Sequence, residues 1–156
     1  MSVKRHSHAS VVLDGKIYTM GGYGEGAIVL DTVEVYDPQA NSWQQVASMP
    51  QGRARHAAAV MGGKIYVTGG FYHGSLLSSV YVYDPQADAW TRLASMGIPR
   101  RSHASAAVGG KLYVFGGYSA GDELLSTAEV YDPASDSWAQ VTSLTSARSL
   151  FVAAAL

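Results

Sequence analysis

The chain repeats itself three times and begins a fourth, and this constrains its fold more than any other feature. Gly21-Gly22 returns as Gly69-Gly70 and Gly116-Gly117. Tyr36-Asp37-Pro38 returns as Tyr83-Asp84-Pro85 and Tyr131-Asp132-Pro133, and Trp43, Trp90 and Trp138 each follow seven residues after the tyrosine. Arg5, Arg53, Arg100 and Arg148 stand 48, 47 and 48 residues apart. Self-similarity at a period of about 20–50 residues marks a stacked array, in which each unit buries its apolar face against the next.

One unit shows the local grammar. His56–Met61 is short, apolar and rich in small side chains, Gly62-Gly63 follows, and Lys64–Thr68 is a run of β-formers. Two glycines between such runs predict a tight hairpin, because the primed turns need positive φ. Asp14-Gly15 and Gly109-Gly110 are the matching turns. A third strand, Val80–Tyr83, stops at Asp84-Pro85, where proline removes a ladder donor and aspartate can cap the turn. A fourth opens at Trp90 and runs out near Met96. No segment has a helical period.

Four short antiparallel strands cannot bury both faces of their sheet alone, and radial stacking around an axis solves this, giving the all-β propeller. Small residues in the first strand suit the crowded axis. The tryptophans are expected between blades, where truncation to Ala costs about 3–5 kcal/mol. The blades fall at about 5–52, 53–99 and 100–147, with 148–156 as an extra first strand, so that 1–156 is one repeat domain.

The glycine pair, the tyrosine and the tryptophan at fixed spacing, with the Arg-x-x-His opening and the Tyr-Asp-Pro turn, resemble the kelch repeat, and the resemblance spans essentially all 156 residues. It implies a ring of usually six or seven blades and most often protein binding, in a bowl built from the loops at one end. Carried over, one set of loops begins at Tyr23, Phe71 and Tyr118 and extends to Tyr72 and His73; the other includes Ser7, Arg55 and Ser102. Arg55 and Arg101 break the repeat, and departures from a template are the better functional candidates. The expected partner-binding residues are therefore Tyr23, Arg55, Phe71, Tyr72, His73, Arg101, Ser102 and Tyr118. Aromatic side chains on a rigid rim suit a binding hot spot.

Three blades leave two apolar faces open, more than a soluble monomer normally exposes. Either a second chain closes a six-blade ring by twofold symmetry, or the chain is part of a longer propeller. Phe151–Leu156 reads as another first strand although His8–Leu13 already supplies one, so one copy is redundant in a simple half-ring.

The recurring His8, His56 and His103 fall at the axis, but no carboxylate recurs beside them, and no metal or cofactor is expected. The recurring arginines read as blade wiring, paired to an aspartate of the Tyr-Asp-Pro turns. No nucleophile elbow, zinc-binding helix or phosphate loop is present. Zero cysteines exclude disulfides, thiolate metal sites and the cysteine–tyrosine crosslink of the copper-radical oxidases among kelch proteins. A sugar-acting enzyme of the sialic-acid mutarotase kind, or a purely structural assembly unit, is the alternative to a binding module. Net charge is −1, so nothing calls for nucleic acid or an anionic membrane, and no apolar run approaches the ~20 residues of a span. With no signal-like start, a cytoplasmic protein is expected.

Overall fold

The computed structural model describes residues 1–153. Three four-stranded antiparallel sheets follow one another. The first holds β1 (Ala9–Leu13), β2 (Lys16–Met20), β3 (Val33–Asp37) and β4 (Ser42–Val46). The second holds β5 (Ala57–Met61) and β6 (Lys64–Thr68), then a small side hairpin of β7 (Phe71–Tyr72) and β8 (Ser75–Leu76), then β9 (Val80–Asp84) and β10 (Ala89–Leu93). The third holds β11 (Ala104–Val108), β12 (Lys111–Phe115), β13 (Ala128–Asp132) and β14 (Ser137–Val141). Helix among the described residues is limited to single 3₁₀ turns at Glu25–Ala27 and Ala120–Asp122, and no helix is long and apolar enough to cross a membrane.

The hairpins form as the turn residues require. Leu13 pairs with Lys16 across Asp14-Gly15, whose φ values are 50° and 72°. Gly62-Gly63 and Gly109-Gly110 repeat this with both φ positive, the primed turn that matches strand twist. At the other end of each sheet Asp37 Oδ1 accepts from the Gln39 amide at 2.9 Å, and Asp84 and Asp132 do the same for Gln86 and Ala134.

The core lies between sheets rather than within one. Leu13, Tyr18, Met20, Val33, Val35 and Met49 of the first pack on Ile65, Val67 and Tyr83 of the second. Ala59 and Tyr66 of the second pack on Leu112 and Tyr131 of the third. The innermost strands β1, β5 and β11 lie side by side, and their Ala-rich sequences permit that approach. Trp90 and Trp138 each lie across a seam, donating Nε1 to Ala47 O and Ala94 O of the preceding blade, both at 2.9 Å. Trp43 differs from the expected burial: it is 38% exposed, since among the described residues no blade lies against its face.

Two further expectations change. The recurring arginines do not pair with the Tyr-Asp-Pro aspartates. Lys16, Lys64 and Lys111 do, at 2.9–3.0 Å, since they begin the adjacent strand. Arg5 and Arg100 instead reach Glu34 and Glu129 on the third strand, at 2.8 and 2.7 Å. The extra first strand is not formed over 148–153, where no strand among the described residues pairs with it. Its last three positions lie outside the described residues.

Candidate functional site

The residue before each repeated histidine adopts a left-handed backbone, and Leu150 does so before Phe151: Ser7, Arg55, Ser102 and Leu150 have φ of 55°, 55°, 54° and 55°. This conformation is uncommon for side chains with a Cβ and persists only where surroundings hold it. Here the holding contacts are hydrogen bonds from blade to blade. Arg55 N donates to Ser7 O at 2.8 Å, Ser102 N to Arg55 O at 2.7 Å, and Leu150 N to Ser102 O at 3.0 Å. The chain of bonds curves around the axis and turns the Arg55 side chain outward at its mouth, where it is exposed.

Two concavities meet there. One, of about 390 Å³, is lined by Ser7, Arg55, Arg101, Ser102, Tyr118 and Leu150, with the axial histidines beneath. The other, of about 480 Å³, lies between the loops of blades 2 and 3 and includes Arg55, Phe71, Leu76, Arg101 and Asp122. Arg55 and Arg101 belong to both. Arg55 stands 5.9 Å over the Tyr23 ring and Arg101 5.0 Å over Tyr118, geometry that favours a cation on the π face. Arg101 also pairs with Asp122, whereas Arg55 has no carboxylate partner among the described residues.

Six of the eight sequence candidates thus lie together: Arg55, Phe71, Arg101, Ser102 and Tyr118 line the concavities, and Tyr23 supports Arg55. Tyr72 and His73 do not line them. The β7–β8 hairpin carries them to its tip, where their rings meet edge to face at 4.3 Å. Leu150 and Asp122 were missed: Leu150 follows the third blade at the position of Ser7, Arg55 and Ser102, and Asp122 reads as a solvated loop residue until the fold brings it to Arg101.

Below the mouth an axial cavity of about 620 Å³ runs along β1, β5 and β11, with Ser10, Ser105 and His56 among its polar lining. The buried imidazoles are kept neutral. Burial, with Arg100 and Arg53 nearby, pushes His103 down to about 3, and its Nε2 lies 2.8 Å from Thr68 Oγ1. Burial, then Arg53, lowers His56 well below its ordinary value, and both its ring nitrogens lack partners. Neither can serve as a proton donor near neutrality. Among the described residues no group of three His, Asp or Glu could hold a metal ion.

Comparison with known proteins agrees with this fold. Residues 1–98 match the KLHDC2/KLHL20/DRC7 Kelch-repeats domain and residues 99–145 the Kelch motif. Human Kelch-like protein 38 is 42% identical over 52 residues, which are 33% of this chain and 9% of that protein. An F-box/kelch-repeat protein of Arabidopsis thaliana is 48% identical over 48 residues, 31% of this chain and 12% of that protein. The N-acetylneuraminate epimerase of Yersinia enterocolitica is 40% identical over 55 residues, 31% of this chain and 14% of that protein. The matched segments thus span about a tenth of the length of these relatives. With four-stranded antiparallel blades, seams clamped by the repeated tryptophans and family models matched over residues 1–98 and 99–145, the chain belongs to the kelch-repeat family.

Proposed function

We propose that this protein is a binding module that holds a protein or peptide at the loop rim, with Arg55 as its central contact. The observation that carries this reading is the placement of Arg55: exposed at the junction of two concavities, propped on Tyr23, and without a carboxylate partner among the described residues. A cation on a rigid, aromatic-backed support loses little entropy on binding and suits an acidic or carbonyl-rich segment of a partner. The Kelch-like relatives, in which kelch repeats are commonly interaction modules, support the same class of function.

Selection of a random-peptide display library on the immobilised protein tests it. Enriched peptides are expected to bind in solution and to lose about tenfold or more in affinity to Arg55→Ala. Peptides that bind both proteins equally would count against the rim. A second reading follows from the epimerase match: a sugar ring in the axial cavity, with Ser10, Ser105 and His56 as polar lining. We further infer that a second copy of the chain completes the arc of blades into a six-blade ring, which also completes the rim.

A further inference from the structure

The two outer faces of the arc carry the two halves of a seam that occurs twice inside it. At each inner seam the tryptophan Nε1 of the later blade donates to an alanine carbonyl, Ala47 or Ala94, and Asp88 or Asp136 accepts from the amide of that same alanine at 2.9 Å. Gly22 and Gly70 donate to the carbonyls of Arg53 and Arg100, both at 2.8 Å. His56 and His103 lie over Gly21 and Gly69, each with its Cε1 2.8 Å from where a Cβ would stand. The free face of blade 1 presents Trp43 and Asn41 in the places of Trp90 and Asp88, with His8 exposed and, among the described residues, no glycine of a preceding blade against its ring. On the free face of blade 3, Thr142 stands in the place of Ala47 and Ala94.

That third socket is already filled, by residues 148–151. Gly117 N donates to Arg148 O at 2.8 Å, Arg148 N to Leu125 O at 3.1 Å, and Leu150 N to Ser102 O at 3.0 Å. Phe151 lies over Gly116 where the histidines lie over theirs, its Cε1 3.2 Å from a Cβ position. We propose that residues 148–151 are an intramolecular plug, which imitates residues 5–8 of a second copy and holds the docking face of blade 3 until that copy displaces it. The proposal rests on closure of the ring by a second copy.

The plug is the weaker of the two occupants. The Arg148 side chain bonds only Ser146 Oγ among the described residues. Arg5 is buried in its own blade on Gly21 O, Thr32 O and Glu34, and β1 is paired with β2 along its whole length. Leu150 is 81% and Val152 95% exposed. The plug brings neither a tryptophan nor an Asn or Asp to clasp Thr142, whereas residues 5–8 of a second copy arrive with a whole blade. It therefore weakens association by the free energy of its own contacts, without matching a full seam.

Leu150→Pro in the full chain tests this, because proline has no amide proton for Ser102 O and cannot adopt φ near 55°. Leu150 follows the last strand, so the blades are untouched, and circular dichroism and thermal unfolding check this. In sedimentation equilibrium the variant is expected to dimerise at least tenfold more tightly than the wild type. Trp43→Phe, which keeps an aromatic ring but removes the donor, is expected to dimerise about tenfold more weakly. Equal dimerisation of wild type and Leu150→Pro overturns the plug and leaves ring closure standing. Weaker dimerisation of Leu150→Pro also overturns it, making the segment a donor to the partner rather than a stopper. If wild type and Leu150→Pro both stay monomeric at every concentration reached, ring closure itself fails and the plug with it.

Discussion

Arg53 and Arg100 occupy the same socket in different company. Both are fully buried and bond a glycine carbonyl, Gly69 O at 2.9 Å and Gly116 O at 2.8 Å. Arg100 also meets Glu129, which accepts in turn from Gly97 N. Blade 2 has Tyr81 at the glutamate position, and Arg53 lies 5.0 Å over its ring. Burial without an anion pulls Arg53 down to about 10. Removing one member of a buried pair strands the other charge, at a cost of about 3–5 kcal/mol. Arg100→Met is therefore expected to lose about that much stability, and Arg53→Met distinctly less, since it leaves only carbonyls and Ser79 unpaired. Urea unfolding of the two variants checks the difference. The partner of these arginines was not legible in the sequence, because Glu34 lies 29 residues from Arg5 and only the fold brings them together.

At the scale of elements, the strands and their turns were readable because their causes are local. Asp14-Gly15 and its counterparts need positive φ whatever surrounds them, and the prolines end the third strands by lacking a donor. The tryptophans were only half readable. Identical spacing places Trp43, Trp90 and Trp138 at one blade position, yet burial depends on whether another blade lies alongside. Trp90→Ala is expected to cost about 3–5 kcal/mol, as it removes a packed ring and its bond to Ala47 O. Trp43→Ala, on the free face, should cost the monomer about 1 kcal/mol or less. Denaturant midpoints at a concentration too low for association separate the two. Arg55 and Arg101, which depart from the repeat, line both concavities. Tyr72 and His73 depart from it too, but they line neither, although Phe71, Gly74 and Leu76 of the same hairpin line the second.

Over the whole molecule the axis gathers groups that tie stability to pH. The folded His56 and His103 resist protonation, whereas in the unfolded chain both titrate near 6.5. As pH falls through 6.5 the unfolded state takes up more protons, so stability declines by about 1.4 kcal/mol per unit for each group, toward about 3 for His103. Glu34 adds to the loss at lower pH. Burial would raise it, but hydrogen bonds from Ser2 and Arg5 outweigh this and hold it to about 2, so its contribution is present above 4.5 and fades below. Unfolding free energies between pH 7.5 and 5 are expected to fall along this limb. His56→Phe, which copies Phe151 at the equivalent position, should roughly halve the slope. A slope unchanged in that variant would show that His56 does not carry it.

The sequence by itself determined the period, the hairpins, the three four-stranded blades and the family, because turn chemistry and strand composition act over a few residues and recur. It also marked Arg55 and Arg101 by their failure to recur. Tertiary structure decided which arginine meets a carboxylate, which tryptophan is covered and which rim residues share a concavity. Each of these depends on what lies some 30–45 residues away along the chain, in the same blade or the next. Residues 148–153 show the division most plainly: they spell a first strand, and with no strand among the described residues paired to them, that strand does not form.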